Sequence, residues 1–571
     1  MKNWQRWVWV TAWIGWLLSS WCSARVSPQY VLPGGTVTWT IPSGSLTSGK
    51  NYSVMVGTDV VSALALDPQH LNFAVPNDAF AGVAPVQLQG SSATAEVIVV
   101  GRDAQVGYDS ESNPTEEVTV DWLECNSARN KDAISQELDL LTKTPSDDVK
   151  VIKPQYVSVY ALGGDAGACH CHVVEVSVKV SLKSTDPATR ANALGSVLET
   201  LRRLNNDPSA GSTTPEPLIV RSAMTHALYI AGPDHVPLAP SGSGPISPMG
   251  VAILGVPTPD SNKVLVAVLD TGLSPTATSR FTGTLLSQKT FLQSGSTNDH
   301  FDVQRGIPSL PLNQGTGHGT PVAWIVDREA GKLVDILPVS VCDKEGLCRD
   351  PQVMQGLCYT ARYYRDHLQQ YPGGLVINLS LGSFTPSASL RAVLDDVTMK
   401  SVTARTKPWV VAAAGNYIPD ETKRKALEGK TFPPVYYPGT PGDWMKFTNR
   451  YPYVMVFPAG FGVDSSTPKV PGGLFTANDH IVGVGSLEHL KSPAQWQLTD
   501  TSVRGRHVKV CAPGRHVMSM DISGTSAAYS GTSYAAPMFT GFLATKLSKT
   551  PSVGWSTLSS ELPTPIRALC R

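Results

Sequence analysis

Four short, largely apolar runs limit what this chain can fold into more than any other feature: residues 264–269, 374–378, 409–414 and 480–485. None is long enough for a buried helix, and none alternates apolar with polar positions. Each therefore reads as a strand covered on both faces, the habit of parallel sheets. Successive parallel strands need crossover connections, usually helical, and helical patterns fill the gaps at 353–369 and 389–404. The rhythm predicts an α/β fold over 250–549, doubly wound around a mostly parallel sheet.

The sequence ahead of this domain has a different texture. From Val31 to Gly101, short alternating runs such as Thr36-Val37-Thr38-Trp39-Thr40 and Ala95-Glu96-Val97-Ile98-Val99-Val100 are separated by Gly, Pro, Ser and Asn. That pattern predicts a β-sandwich-like module or small barrel within 25–145. A small α+β segment is expected over 146–236, with strands at 157–160, 173–182, 218–220 and 227–230 and a helix opening at Asp186-Pro187. A Pro- and Gly-rich linker spans 237–249, and 550–571 reads as a C-terminal tail.

The N-terminus carries Lys2 and Arg6, an apolar run over 7–18, and small residues around Cys22-Ser23-Ala24. This is the form of an export signal over 1–24, and the run is short of the ~20 residues that span a bilayer. A lipid-anchored Cys22 is the alternative. Of nine cysteines, the eight outside the signal suit an oxidising location, secreted, extracellular or in the cell envelope. Cys342 and Cys348 bracket a loop short enough for a local bridge. Cys169-His170-Cys171-His172 offers zinc-ligand chemistry, but no second ligand pair stands at finger spacing, which favours disulfide or plain structural use. The 46 Lys and Arg balance 46 Asp and Glu, and this lack of a basic surplus argues against a nucleic-acid partner.

Three segments at element ends hold the groups needed for acyl transfer. Val268-Leu269-Asp270-Thr271-Gly272 delivers a carboxylate from an apolar strand into a tight turn. Gly317-His318-Gly319-Thr320-Pro321 places a histidine at the start of a helix. Ser530-Gly531-Thr532-Ser533-Tyr534-Ala535-Ala536-Pro537 places a serine at another helix start. A serine hydroxyl needs an imidazole to take its proton, and the imidazole needs a buried acceptor to orient it. Gly524-Thr525-Ser526 repeats the third motif without its proline, and Ser526 is expected in a loop.

In this order the segments resemble the subtilisin-like serine proteases, the subtilases (peptidase S8 family), in which Asp, His and Ser follow one another along the chain. The resemblance extends to Asn378-Leu379-Ser380-Leu381-Gly382 and Ala412-Ala413-Ala414-Gly415-Asn416, and covers roughly 250–549. It implies a secreted serine endopeptidase acting on proteins or peptides. Ser533 would be the nucleophile, His318 the general base and Asp270 its orienting group, with Asn416 as oxyanion donor. Ser380, Leu381 and Gly382 would bind substrate backbone, and Ala413, Ala414 and Gly415 would leave room for a P1 side chain in a roomy apolar pocket. No cofactor is implied for the chemistry and no metal among the site residues, although structural calcium is possible. Thr297-Asn298-Asp299-His300 with Asp302 could bind an ion, but a solvated loop is the plainer reading. Residues 439–479 form a long stretch where the wall of the P1 pocket would lie. The α+β segment is compatible with a prosegment, the protein's own partner, cut from the enzyme in the linker. A catalytically silent, peptide-binding relative is one alternative. A serine esterase is another, disfavoured because Ser533 is not in Gly-x-Ser-x-Gly.

Overall fold

The computed structural model describes residues 25–562 apart from internal stretches, the longest being 126–148 (save Asp132 and Gln136), 183–218 (save Thr189 and Asn192), 230–261, 296–316, 417–455 and 463–477. The expected export signal, the linker, the candidate ion loop and most of the helix after Asp186 lie outside the described residues.

The N-terminal region is one eight-stranded sheet: β1 (Arg25–Ser27), β2 (Tyr30–Val31), β3 (Thr36–Thr40), β4 (Asn51–Val56), β5 (Asp59–Ala65), β6 (His70–Ala74), β7 (Gly82–Leu88) and β8 (Thr94–Val99). Its order is β1-β3-β6-β5-β4-β7-β8-β2. Alternation decides which side chains turn inward: Val37 and Trp39 from β3 and Leu71 and Phe73 from β6 enter the core, while the threonines of β3 face outward. Strands β1 and β2 sit at opposite edges yet are neighbours in the chain, so the sheet must curl until its edges approach. A single curled sheet thus stands in place of two stacked ones.

A second sheet follows, built from β9 (Gly107–Tyr108), β10 (Pro114–Glu124), β11 (Val149–Ile152), β12 (Val157–Ala161), β13 (His172–Leu182) and β14 (Ile219–Ser222). Its order is β11-β13-β10-β14, with β12 added on β13 and β9 on β10. Because β10 is central, this unit takes in chain well before residue 146, where the sequence reading started it. Cys125, just beyond β10, is bridged to Cys171. Strand β15 (Ala227–Tyr229) leaves this sheet and pairs elsewhere.

The third sheet contains β16 (Val264–Asp270), β17 (Thr284–Leu285), β18 (Lys289–Thr290), β19 (Val334–Ser340), β21 (Gly374–Leu379), β22 (Trp409–Ala413), β23 (Ile481–Lys491), β24 (Ala494–Leu498) and β25 (Val508–Pro513). The order β17-β19-β16-β21-β22-β23-β24 is parallel throughout except at β24. Helices α1 (Gly319–Ala330) and α4 (Thr532–Lys549) cover one face, and α2 (Asp350–Asp366) and α3 (Ala388–Asp395) the other. Strand β16 shows why its run had to be apolar at every position: Val264, Val266 and Val268 enter one core, and Leu265, Ala267 and Leu269 the other. The chain leaves β16 to build β19 on one side and then β21 on the other, so the winding reverses at β16. The carboxyl end of a strand at such a reversal is where doubly wound sheets place their sites.

Strand β19 was not apparent in the sequence, because Asp335 and Pro338 interrupt its apolar run. Asp335 lies near the strand's start and is held by Lys263 Nζ (2.7 Å) and Tyr371 Oη (3.2 Å). Pro338, which has no N–H to give, falls between the partners of β17 (Asp335, Ile336) and of β18 (Val339, Ser340). The helix expected to reach residue 404 ends as α3 at Asp395 and continues as a π-turn, Asp396–Lys400. Asn478 Nδ2 ties the two together by donating to Asp395 Oδ1 and Thr398 Oγ1. The expected C-terminal tail contains α5 (Trp555–Glu561), which sends Leu558 into the same core as α4. Ser526 is not in a loop but is the exposed first residue of β27 (Ser526–Tyr529), hairpinned to β26 (Val517–Met520).

Candidate active site

Strand β16 ends by presenting Asp270 into a turn closed by Gly272, whose φ of 109° suits glycine alone. Asp270 Oδ1 accepts from Thr271 N–H at 2.8 Å and lies 2.8 Å from His318 Nδ1, with both side chains almost wholly buried. His318 is held there by the way α1 begins. Gly319 N–H donates to Thr271 Oγ1 (2.9 Å), and Ser274 N–H donates to Thr320 Oγ1 (2.9 Å). A side chain on Gly319 would run into the Gly272 carbonyl, which explains a glycine directly after the histidine. The buried Tyr534 ring packs beside the imidazole at 5.6 Å between centroids, bringing the start of α4 to the histidine.

Ser533 sits in the first turn of α4, after Gly531 at φ 137°. Thr532 N–H donates to Asn416 Oδ1 (2.8 Å), and both Tyr534 N–H and Ala535 N–H donate to the Gly531 carbonyl. Among the described residues nothing accepts from the Ser533 N–H, so that donor faces the site at the positive end of the helix dipole. The serine is also tied to β21. Its hydroxyl donates to the Ser380 carbonyl (3.3 Å), while Ser380 Oγ donates to the Ser533 carbonyl (2.7 Å). Asn378 extends this tie, donating from Nδ2 to Ser380 Oγ and accepting from Thr540 Oγ1 of α4.

Asn416 uses its amide oxygen on Thr532, leaving Nδ2 beside Gly531, where an added Cβ would come within 3.0 Å of it. Gly415 N–H donates to Thr532 Oγ1 (3.1 Å), joining the 412–416 segment to the serine helix. Of the other expected substrate-binding residues, Leu381, Ala413 and Ala414 turn their side chains into the cores. Gly382 and Gly415 share a neighbour the sequence reading did not single out: an added Cβ on either would strike the Val456 side chain, at 2.6 Å for Gly415. Val456 belongs to the long 439–479 stretch, of which 456–462, Asn478 and Asp479 are described. Phe457 and Ser383 exchange backbone hydrogen bonds of 2.9 and 2.7 Å, which fix Val456 there, next to the cis bond Phe457–Pro458. The signal that could have found this wall is the Phe-Pro-Ala-Gly run at 457–460, which the sequence reading did not single out within 439–479.

His480, between β22 and β23, packs its ring 4.6 Å from that of Trp409, and burial, aided by the Lys407 charge, lowers its pKa to about 4. The Cys169-His170-Cys171-His172 stretch resolves into two bridges, Cys169–Cys358 and Cys125–Cys171, and Cys342–Cys348 closes the short loop. Cys511 is disulfide-bonded to a partner outside the described residues. Among the described residues no group of three or more His, Cys, Asp or Glu is placed to hold a metal ion.

Comparison with curated protein sequences finds no match. Among solved structures, a cold-adapted subtilisin-like serine proteinase is similar at 21% identity and a TM-score of 0.33, covering 53% of this chain and 81% of its own. A psychrophilic protease, S41, is similar at 20% identity and a TM-score of 0.34, covering 56% of this chain and 90% of its own. The family model described as the subtilase family, Peptidase S8, matches residues 261–569, more than half of the sequence. The chain belongs to the subtilase family of serine peptidases.

Proposed function

We propose that this chain is a secreted endopeptidase in which Ser533 attacks the peptide carbonyl, His318 moves the proton and Asp270 orients His318. The carrying observation is the buried 2.8 Å contact between His318 Nδ1 and Asp270 Oδ1, with the ring of Tyr534, the residue after Ser533 on α4, packed beside the imidazole. With Nδ1–H directed at Asp270, Nε2 is the ring nitrogen that receives a proton, so the tautomer suits a general base. The Ser533 hydroxyl turns from the Ser380 carbonyl to Nε2 and gives up its proton as Oγ bonds to the substrate carbon. The carbonyl π pair moves onto oxygen, and the oxyanion takes hydrogen bonds from Ser533 N–H and Asn416 Nδ2. Collapse of this intermediate re-forms the carbonyl and breaks the C–N bond, while imidazolium Nε2–H protonates the leaving amine. Water then repeats the sequence on the acyl-enzyme, releasing the acid and restoring Ser533. Across the cycle water supplies the oxygen and the net proton, and His318 only carries protons between donor and acceptor.

Ser380, Leu381 and Gly382 are assigned to backbone recognition, the substrate adding as an extended strand. Val456, packed against both Gly382 and Gly415, is assigned to the P1 pocket, where it would favour small P1 side chains. The export signal and the bridges among Cys125, Cys169, Cys171 and Cys358 support an oxidising location outside the cytoplasm.

The test is to incubate the purified protein with casein and with a short-chain ester, with and without a serine-directed phosphonate. Casein cleavage that is abolished by the phosphonate and by Ser533→Ala is the expected result. Ester cleavage without proteolysis would overturn the reading, as would casein binding without cleavage.

A further inference from the structure

Strand β15 leaves its own sheet to pair antiparallel with β20 (Leu347–Arg349), matching Ala227 to Arg349, Leu228 to Cys348 and Tyr229 to Leu347. Strand β20 belongs to the loop after β19, and that loop starts at the site: Val341 N–H and Cys342 N–H both donate to the Asp270 carbonyl, at 2.8 and 3.1 Å. The loop after β21, which carries Ser380–Gly382, leaves the same end of the sheet on the other side of β16. An extended strand on β20 therefore lies where the carboxyl ends of the parallel strands open, the place assigned above to substrate. In the same state His318 and Ser533 are fully buried.

The region that supplies β15 is also fastened to the catalytic unit. Cys169, in the turn before β13, is bridged to Cys358 on α2, across 189 residues of sequence. Cys358 lies roughly 13 Å of helix beyond the end of β20, at ~1.5 Å per residue. The Cys125–Cys171 bridge holds β10 to the same turn. Around the anchor, α2 donates from Gln355 Nε2 to the Ala161 carbonyl (2.8 Å) and from Arg362 to the Gly163 carbonyl (2.5 Å). Leu123, Leu162, Val173, Val174 and Val176 share one core with Val353, Leu357 and Leu390.

We propose that cutting the chain between Tyr229 and Asn262 does not free the N-terminal region. It remains a disulfide-tethered occupant of the cleft, and the cut enzyme is a two-chain molecule. This rests on the peptidase reading above for its consequence, though not for the tether. A released fragment is lost on dilution, whereas a tethered one keeps an effective concentration on the order of millimolar at any protein concentration. Activation then requires loss of the Cys169–Cys358 bridge or destruction of the tethered region, not simple dissociation.

The test uses the full chain with a site-specific protease sequence placed within 237–249. In the Ser533→Ala protein, cutting should leave a single full-mass band on a non-reducing denaturing gel and two bands after reduction. Two bands without reductant would overturn the proposal. In the catalytically intact protein, specific activity on a peptide substrate should stay constant over a 100-fold dilution after cutting. Cys169→Ser/Cys358→Ser should instead gain at least tenfold over that dilution. Leu228→Pro, which disfavours pairing with β20, should raise activity with the fragment still attached. Equal dilution responses in the tethered and untethered proteins would refute the tethered-occupant model. Absence of peptidase activity from every protein, with the gel result intact, would instead count against the peptidase reading alone.

Discussion

Asn416 serves two neighbours through two atoms, so two substitutions should separate its roles. Its Oδ1 accepts from Thr532 N–H at 2.8 Å, and its Nδ2 is assigned to the oxyanion. Asn416→Ala removes both. Loss of one oxyanion donor typically costs ~10²–10³ in kcat, a figure that comes from subtilisin itself. An unsatisfied Thr532 N–H should cost a further ~1–3 kcal/mol of stability, a drop of several degrees in Tm at ~2–4 °C per kcal/mol. Asn416→Asp keeps the acceptor and replaces the donor with a carboxylate that repels the oxyanion. Its Tm should stay within about 2 °C of wild type while kcat falls at least as far as in the alanine variant. KM should barely move in either, because the donor acts only in the transition state. The assay is initial-rate kinetics on a chromogenic peptide together with thermal unfolding of each variant. An aspartate variant that keeps kcat within tenfold of wild type would refute the oxyanion role. One that loses as much Tm as the alanine variant would refute the Thr532 tie.

Three further outcomes are expected. Val456→Gly should deepen the P1 pocket and raise kcat/KM for Phe over Ala at P1 by roughly 10–200-fold, the span of one to a few methylenes, as read with a matched pair of peptides; an unchanged ratio would remove Val456 from the pocket. Gly319→Ala, whose new methyl would meet the Gly272 carbonyl, should displace His318 from Asp270 and lower casein turnover more than 100-fold; near-normal turnover would contradict the packing described. Burial holds the His480 pKa near 4, below its unfolded value of ~6.5, so the folded state binds the proton less readily. Its share of stability is present above pH ~6.5 and is lost as pH falls toward 4. His480→Gln should therefore flatten the fall in urea-unfolding free energy over that range by up to ~1.4 kcal/mol per pH unit, and parallel curves would refute the assignment.

The strands that hold the site were legible because they are buried on both faces, a demand that leaves few side chains to choose from. Strand β19 was not, since Lys263 and Tyr371 satisfy Asp335 and a gap between β17 and β18 accommodates Pro338. Both compensations come from residues distant in sequence. Asp270, His318 and Ser533 stood out because the glycines around them are fixed by close backbone approach, which leaves a local signature. Val456 left a weaker one, the Phe-Pro-Ala-Gly run that follows it, and gains its meaning only when Gly382 and Gly415 come up against it. The cysteines likewise showed an even number outside the expected export signal, which suits bridging, but not their pairing. Only the Cys342–Cys348 loop is local, and the bridge from Cys169 to Cys358 depends on how the second sheet seats on α2.

The central claim is that Ser533 is the nucleophile activated by His318. Treating the activated protein, freed of its tethered N-terminal region, with a fluorescent serine-directed phosphonate and mapping the labelled peptide tests it most directly. The account predicts one label per molecule, on Ser533, appearing in step with loss of casein cleavage and absent from both Ser533→Ala and His318→Ala. Label on another serine, or casein cleavage that persists in Ser533→Ala, would contradict it.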